Sequence, residues 1–195
     1  MQNISEKTRF MKNSERRYLT DEECTRLLAV PKIHTRTGLR NAVMMRLLLE
    51  GGLKVSELVG RESDGEENVT GNPIGGLQID DIRWDRGSIT VRRNSERTVS
   101  LGPETMGLLR EWVYQRPVSE ILLVFTTLQG GKISNRYVRQ FLGRYGREAG
   151  IGTPVKPAIL RNSFARRLEE AGGDISLVRA RLGLSPRSTP PRIRE

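Results

Sequence analysis

The segment Gly38 to Glu50 reads GLRNAVMMRLLLE and is cut off by the pair Gly51-Gly52. Leu39, Val43 and Leu47, with Met44 and Leu48 beside them, recur at helical spacing and predict one broad buried face. A helix this apolar has to be covered by the rest of the chain, and the glycine pair fixes where it stops. Shorter helices are expected on either side. Thr20 followed by Glu23 is a capping box ahead of a helix carrying Cys24, Leu27 and Leu28. Val55 to Val59 reads as a short third helix with Ser56 as its cap.

The composition then changes sharply. Residues 61–76, RESDGEENVTGNPIGG, hold Glu62, Asp64, Glu66 and Glu67 among glycines and Pro73, and predict an exposed acidic, Gly-rich loop insertion. After it LQIDDIRW, SITVRR and RTVSL alternate apolar and polar residues. They predict a small antiparallel sheet, built as two hairpins or as a three-stranded meander, with Asp85-Arg86-Gly87 as the first turn. Pro103 to Gln115 restores a helical period through Met106, Leu108, Leu109 and Val113, and ILLVFT at 121–126 reads as a buried strand or extended segment. Ser134 caps a helix to Ala149 with Val138, Phe141, Leu142 and Tyr145 inward and Arg136, Arg139, Arg144 and Arg147 at the other positions. A helix from Pro157 to Ala171 ends at Gly172-Gly173, and Asp174 caps a last one through Leu182. The expected fold class is α+β, mainly α-helical, with a small antiparallel sheet. Residues 1–17 form a basic arm, 18–184 the folded domain and 185–195 a Pro/Arg-rich tail.

Charge points to a polyanionic partner. The chain carries 33 Lys+Arg against 23 Asp+Glu, a formal +10, and the excess is nearly all arginine. Its planar fork binds phosphate oxygens bidentately, so DNA or RNA is the natural partner, although genome composition or growth at high temperature raises arginine as well. One Cys and one His exclude disulfide scaffolds and ordinary zinc modules, and no cofactor or metal is expected. Cys24 reads as a core residue and His34 as an exposed loop residue. No stretch reaches the roughly 20 apolar residues of a membrane span, so a soluble cytoplasmic protein is expected.

LLLEGGLKVSELVG, then IDDIRWDRGSITVRR with RTVSL, and finally ILRNSFARRLEEAGGDISLVRARLGLS resemble, in order and spacing, the catalytic domain of the tyrosine recombinase (phage integrase) family. The resemblance runs from about Tyr18 to the C-terminus, interrupted by residues 61–76. It implies the family's catalytic-domain fold and a double-stranded DNA partner. In that family a tyrosine attacks a phosphodiester, two arginines hold its non-bridging oxygens, and a lysine and histidines move protons. Fixed donors must already point at the charge that gathers in such a transition state.

Set against those roles, the chain departs at most positions. The first arginine falls on Lys54, which keeps charge without the fork. The hairpin lysine has no counterpart, and Arg92, Arg93 and Arg97 stand there instead; an arginine is a poor general acid. The His-x-x-Arg motif becomes Ala158-Ile159-Leu160-Arg161, and the Leu-Gly-His landmark becomes Leu182-Gly183-Leu184. The nucleophile counts to Ile193, and no Tyr follows Tyr145. Delivering Tyr18, Tyr114, Tyr137 or Tyr145 to the phosphate would take a rearrangement or a second subunit.

The expectation is therefore a duplex-DNA-binding protein, not an enzyme, with an architectural, regulatory or recombination-accessory role. Its expected DNA contacts are Lys54, Arg92, Arg93, Arg97, Arg136, Arg139, Arg144 and Arg161. Each has a bland counterpart: Arg161 pairing with Glu169 or Glu170, the hairpin arginines on a solvated turn, the helix arginines on an ordinary charged surface. Glu57 is expected to hydrogen-bond structurally. Two other readings stay open. One is an active recombinase with a non-standard Tyr or completed in trans by an active partner or by self-association; the other is a protein-interaction module using the acidic loop or the tail.

Overall fold

The computed structural model describes residues 18–61, 75–92 and 95–184. The expected arm, residues 62–74 of the acidic loop, Arg93, and the tail with Ile193 lie outside them.

Helix α1 (Asp21–Ala29) begins with a complete capping box. Thr20 Oγ1 accepts from the Glu23 N–H at 3.2 Å, and Glu23 Oε2 accepts from the Thr20 N–H at 3.0 Å. Helix α2 (Arg36–Glu50) starts two residues earlier than the apolar period predicts, because Thr35 Oγ1 accepts from the Gly38 N–H at 3.0 Å and caps it. Leu39, Val43, Met44, Leu47 and Leu48 are all fully buried. At roughly 1.5–3 kcal/mol for each such side chain, this helix anchors the core. Helix α3 (Val55–Val59) is capped differently from expectation. Its N-cap is Lys54, and Ser56 is already inside the helix. The carboxylate of Glu57, three residues on, accepts from the Lys54 N–H at 2.8 Å and supplies the bond that a Ser side chain would have made.

Strands β1 (Ile82–Arg83), β2 (Ser88–Val91) and β3 (Arg97–Ser100) form an antiparallel sheet in the order β1-β2-β3, which is the meander of the two topologies open from sequence. Ile89 faces Ile82 and Val99 across the ladders, and Gly87, at φ 57°, closes the first turn. The run 121–126 is extended rather than a regular strand. Leu123, Val124 and Phe125 are wholly buried, but pairing is limited to the bridges Gln78 to Leu123 and Thr126 to Lys132. The opposing segment turns into a 3-10 helix at Ile79–Asp81, so no ladder can continue.

Helices α4 (Pro103–Gln115) and α6 (Pro157–Glu170) pack on α2, while α5 (Asn135–Glu148) packs on α1 and α3. Ser134 caps α5 through the Tyr137 N–H at 3.1 Å, and Asp174 caps α7 (Ile175–Leu182) through the Leu177 N–H at 2.7 Å. A second small core of Ala165, Val178 and Leu182, with Phe164, Leu168 and Leu184 against it, joins α6 to α7. One buried cation sits in the main core. Arg40, 4% exposed, donates to Thr126 O at 2.9 Å and to Tyr137 Oη at 2.6 Å and lies over the Trp112 and Tyr137 rings. Neutral acceptors and ring faces therefore replace a carboxylate counter-ion.

Candidate nucleic-acid interface

The turn after α2, the start of α3, strand β3, helix α6 and the end of α7 meet at one place. Arg161, in the second turn of α6, donates from Nη1 to Gly52 O at 2.5 Å and from Nη2 to Leu182 O at 2.6 Å. Neither Glu169 nor Glu170 is its partner; Glu170 pairs with Arg166 at 2.6 Å. Burial brings the Arg161 guanidinium down to about 10, with Glu57 opposing the fall and Arg97 adding to it. Two glycines make the approach of these elements feasible. Gly52, at φ 61°, would put a Cβ 2.4 Å from Phe164 Cδ1, and Gly183, at φ 57°, would put one 2.7 Å from Arg97 Nη1.

Arg97 does not stand on a solvated turn. Its side chain is 8% exposed, and it forks onto Glu57, from Nη2 to Oε2 at 2.8 Å and from Nη1 to Oε1 at 3.2 Å. A carboxylate with no exposed surface demands a partner, and the first residue of β3 is the one within reach. Burial alone would push the Glu57 carboxyl up; the Arg97 hydrogen bonds and charge, the Lys54 N–H and Arg161 together hold it below the usual range. The expected structural hydrogen bonding of Glu57 thus takes the form of this ion pair and the α3 cap.

Lys54 is half-buried at the rim. Its ammonium is driven below the ordinary lysine value first by burial, then by Arg161, with Arg97 and Arg61 adding and Glu57 opposing. Lys54, Arg97 and Arg161 therefore lie around a single carboxylate, three cations to one anion, with half-buried Lys54 the most accessible to a ligand through its side chain and the two arginines held in the fold. Such a cluster can hold a phosphate oxygen. The flanking positions carry no imidazole: Ala158 is exposed in the first turn of α6 and Leu184 is half-buried after α7.

The remaining expected contacts divide. Arg92 pairs with the buried carboxylate of Asp81, which also accepts from the Gln78 N–H at 2.9 Å. The Asp81 hydrogen bond and charge raise the Arg92 guanidinium above its ordinary value. Arg144 lies over the Tyr145 ring and pairs with Glu148 at 3.5 Å. Arg136 and Arg139 are exposed on α5. That helix is joined to α3 at its N-terminal end, where Asn135 Nδ2 donates to Gly60 O at 3.4 Å. Sequence reasoning missed the Glu57–Arg97 pair, although Glu57 stands at the third helical position where a capping carboxylate belongs.

Tyr18, Tyr137 and Tyr145 are engaged elsewhere, and Tyr114 stands apart from the cluster on α4. Tyr137 Oη accepts from Arg40 and from Asn41 Nδ2 at 3.1 Å, and Tyr145 Oη accepts from Asn41 at 3.3 Å. Tyr18 lies under the Arg166 guanidinium, 4.2 Å from the ring centroid, and Tyr114 is exposed on α4.

Residues 72–190 match the phage integrase family. Tyrosine recombinase XerD of Pseudomonas aeruginosa is 30% identical over 181 residues, covering 88% of this chain and 54% of the relative. XerD of Proteus mirabilis is 31% identical over 179 residues, covering 88% and 52%. The chain thus spans about half the length of the relatives it matches. Among solved structures, XerA recombinase superposes with a TM-score of 0.70 at 22% identity over 86% of this chain and 54% of that one. XerH site-specific recombinase, bound to its difH substrate in a pre-cleavage complex, superposes with a TM-score of 0.67 at 22% identity over 86% and 47%. The helices, the small meander and the family match agree, and the chain belongs to the phage integrase family, with the fold of a tyrosine recombinase catalytic domain.

Proposed function

We propose that this chain binds duplex DNA through the tyrosine recombinase fold without cleaving it, serving an architectural, regulatory or recombination-accessory role in the cytoplasm. The observation that carries the reading is the cluster of Lys54, Arg97 and Arg161 around one carboxylate, with exposed arginines on the adjacent α5. Lys54 meets a phosphate as a point charge, Arg161 contributes field from its buried position, and Arg136 and Arg139 neutralise neighbouring phosphates. Arg97 acts through Glu57 and orders the cluster. The XerH complex with difH, a relative in fold, supports duplex DNA as the partner.

The absence of strand cleavage rests on chemistry. A phosphate held by cations still needs a nucleophile and a proton for the leaving oxygen. The positions that would supply them by family resemblance are Ile193, Ala158 and Leu184. Tyr137 and Tyr145 are held in the hydrogen-bond network of Asn41.

The test is a nicked suicide duplex incubated with the chain and run on a denaturing gel. No covalent adduct is expected. An adduct abolished by changing one tyrosine to phenylalanine would establish an active enzyme instead.

A further inference from the structure

Helix α4 stops at Gln115, ahead of Arg116-Pro117, and beyond it the chain turns apolar side chains outward. Arg116 is extended, at φ −61° and ψ 146°, the conformation favoured before a proline, so Val118 leaves the helix axis and stands wholly exposed at 103%. Tyr114, in the last turn of α4, is 90% exposed. Ile33, Leu122 and Leu128 are exposed as well, and hydrogen bonds gather all five at one end of the molecule. Arg36 Nε donates to Gln115 O at 3.1 Å and brings the loop of Ile33 to the last turn of α4. Arg116 Nη2 donates to Ile121 O at 2.8 Å, and Ser119 Oγ donates to Gly130 O at 2.7 Å, which draws the segment 116–122 onto the turn carrying Leu128. The other large apolar side chains exposed among the described residues, Ile175 and Leu177, lie on α7. One exposed apolar residue is ordinary on a protein surface; five brought together mark an interface.

We propose that this end of the molecule pairs with the same end of a second copy of the chain about a two-fold axis. Charge favours a second copy as the occupant. Lys32 stands beside Ile33 on one side of the patch, and Glu120 between Val118 and Leu122 on the other. Both are exposed, and neither has an ion-pair partner among the described residues. The neighbouring charged groups are engaged, Arg36 and Arg116 by carbonyls and Glu111 by the Gln115 amide at 3.0 Å. A two-fold contact is self-complementary, so Lys32 of each copy meets Glu120 of the other. Chains with a formal charge of +10 repel one another, and a patch where Lys32 and Glu120 balance lets two of them meet. The cluster of Lys54, Arg97 and Arg161 lies at the opposite end of α2, whose 15 residues span roughly 22 Å. Paired copies therefore keep both clusters open. On the duplex-DNA reading above, on which this consequence rests, one dimer holds two duplexes together.

The experiment is sedimentation equilibrium of the full chain over a concentration series without DNA. The wild type should move from one chain toward two as concentration rises. Val118→Asp should weaken the pair by about tenfold or more and leave the thermal midpoint unchanged, because the side chain stands outside the fold. Lys32→Glu and Glu120→Lys should each weaken it, and an equimolar mixture of the two should restore it, since every charge pair across the axis is then opposite in sign. A single chain at every concentration, association that runs on past two chains, or a mixture no stronger than either variant alone would overturn the pairing. Capture of a labelled duplex on an immobilised one then tests the bridging. The wild type should tether the two, whereas Val118→Asp should bind a single duplex as tightly as the wild type and tether none. A protein that pairs but binds no duplex would remove the DNA reading and the bridging while supporting the pairing.

Discussion

Arg97 and Glu57 lie 40 residues apart in sequence and form a bidentate pair, 2.8 and 3.2 Å, at the centre of the cationic cluster. The pair joins the start of β3 to α3, and through Glu57 it also caps α3. Breaking it from either side leaves a buried charge alone. Glu57→Gln is expected to destabilise the fold by about 3–5 kcal/mol, read from urea midpoints. A loss under 1 kcal/mol would mean that solvent reaches the pair.

The same carboxyl gives a pH signature. Its value in the folded protein lies below the ordinary carboxylate value of about 4.3, so its stabilisation is complete above that pH and is lost as pH falls through the lower folded value. Urea midpoints taken from pH 6 to pH 3 should fall more steeply in the wild type than in Glu57→Gln once pH drops below about 4.3. Parallel curves would show that Glu57 titrates normally.

Lys54 carries the opposite sign. Its folded value lies below that of a free lysine, so the protonated form costs stability at neutral pH and the cost fades as pH rises toward about 10.4. Lys54→Met should therefore leave the fold as stable or slightly more stable, by up to about 0.5 kcal/mol at pH 7, while weakening duplex binding and lowering the salt slope by about 0.9. A large loss of stability would assign Lys54 to the fold instead.

Arg161 is bound to the fold more tightly than its place in the motif implies. Arg161→Ala strands the carbonyls of Gly52 and Leu182 and should cost about 2–4 kcal/mol. Hydrogen exchange should then show α7 opening more readily than α5, because the small core between α6 and α7 loses this tie.

Local signals were legible where the chain states them locally. Thr20 with Glu23, Ser134 and Asp174 mark their helices because a cap bonds to an amide two or three residues away. The inward face of α5 followed from the spacing of Val138, Phe141, Leu142 and Tyr145, all buried. What could not be read were partners across the fold. Nothing in RTVSL says that Arg97 pairs with Glu57, and Arg161 finds an acceptor 109 residues away at Gly52. Arg92 and Arg97 look alike in sequence on a hairpin, yet Arg97 is enclosed and Arg92 keeps 59% of its side chain exposed against Asp81. Arg40 was hidden within an apolar period because its acceptors, Thr126 O and Tyr137 Oη, come from distant segments.

Duplex binding through surplus cationic charge underlies every role proposed for this chain. Equilibrium binding to a short labelled duplex of arbitrary sequence, repeated across a salt series, measures it most directly, because the slope of log affinity against log salt counts neutralised phosphates at about 0.9 each. A slope corresponding to several contacts is expected, reduced in Lys54→Met and in Arg139→Ala. No binding at low salt, or a slope near zero, would contradict it.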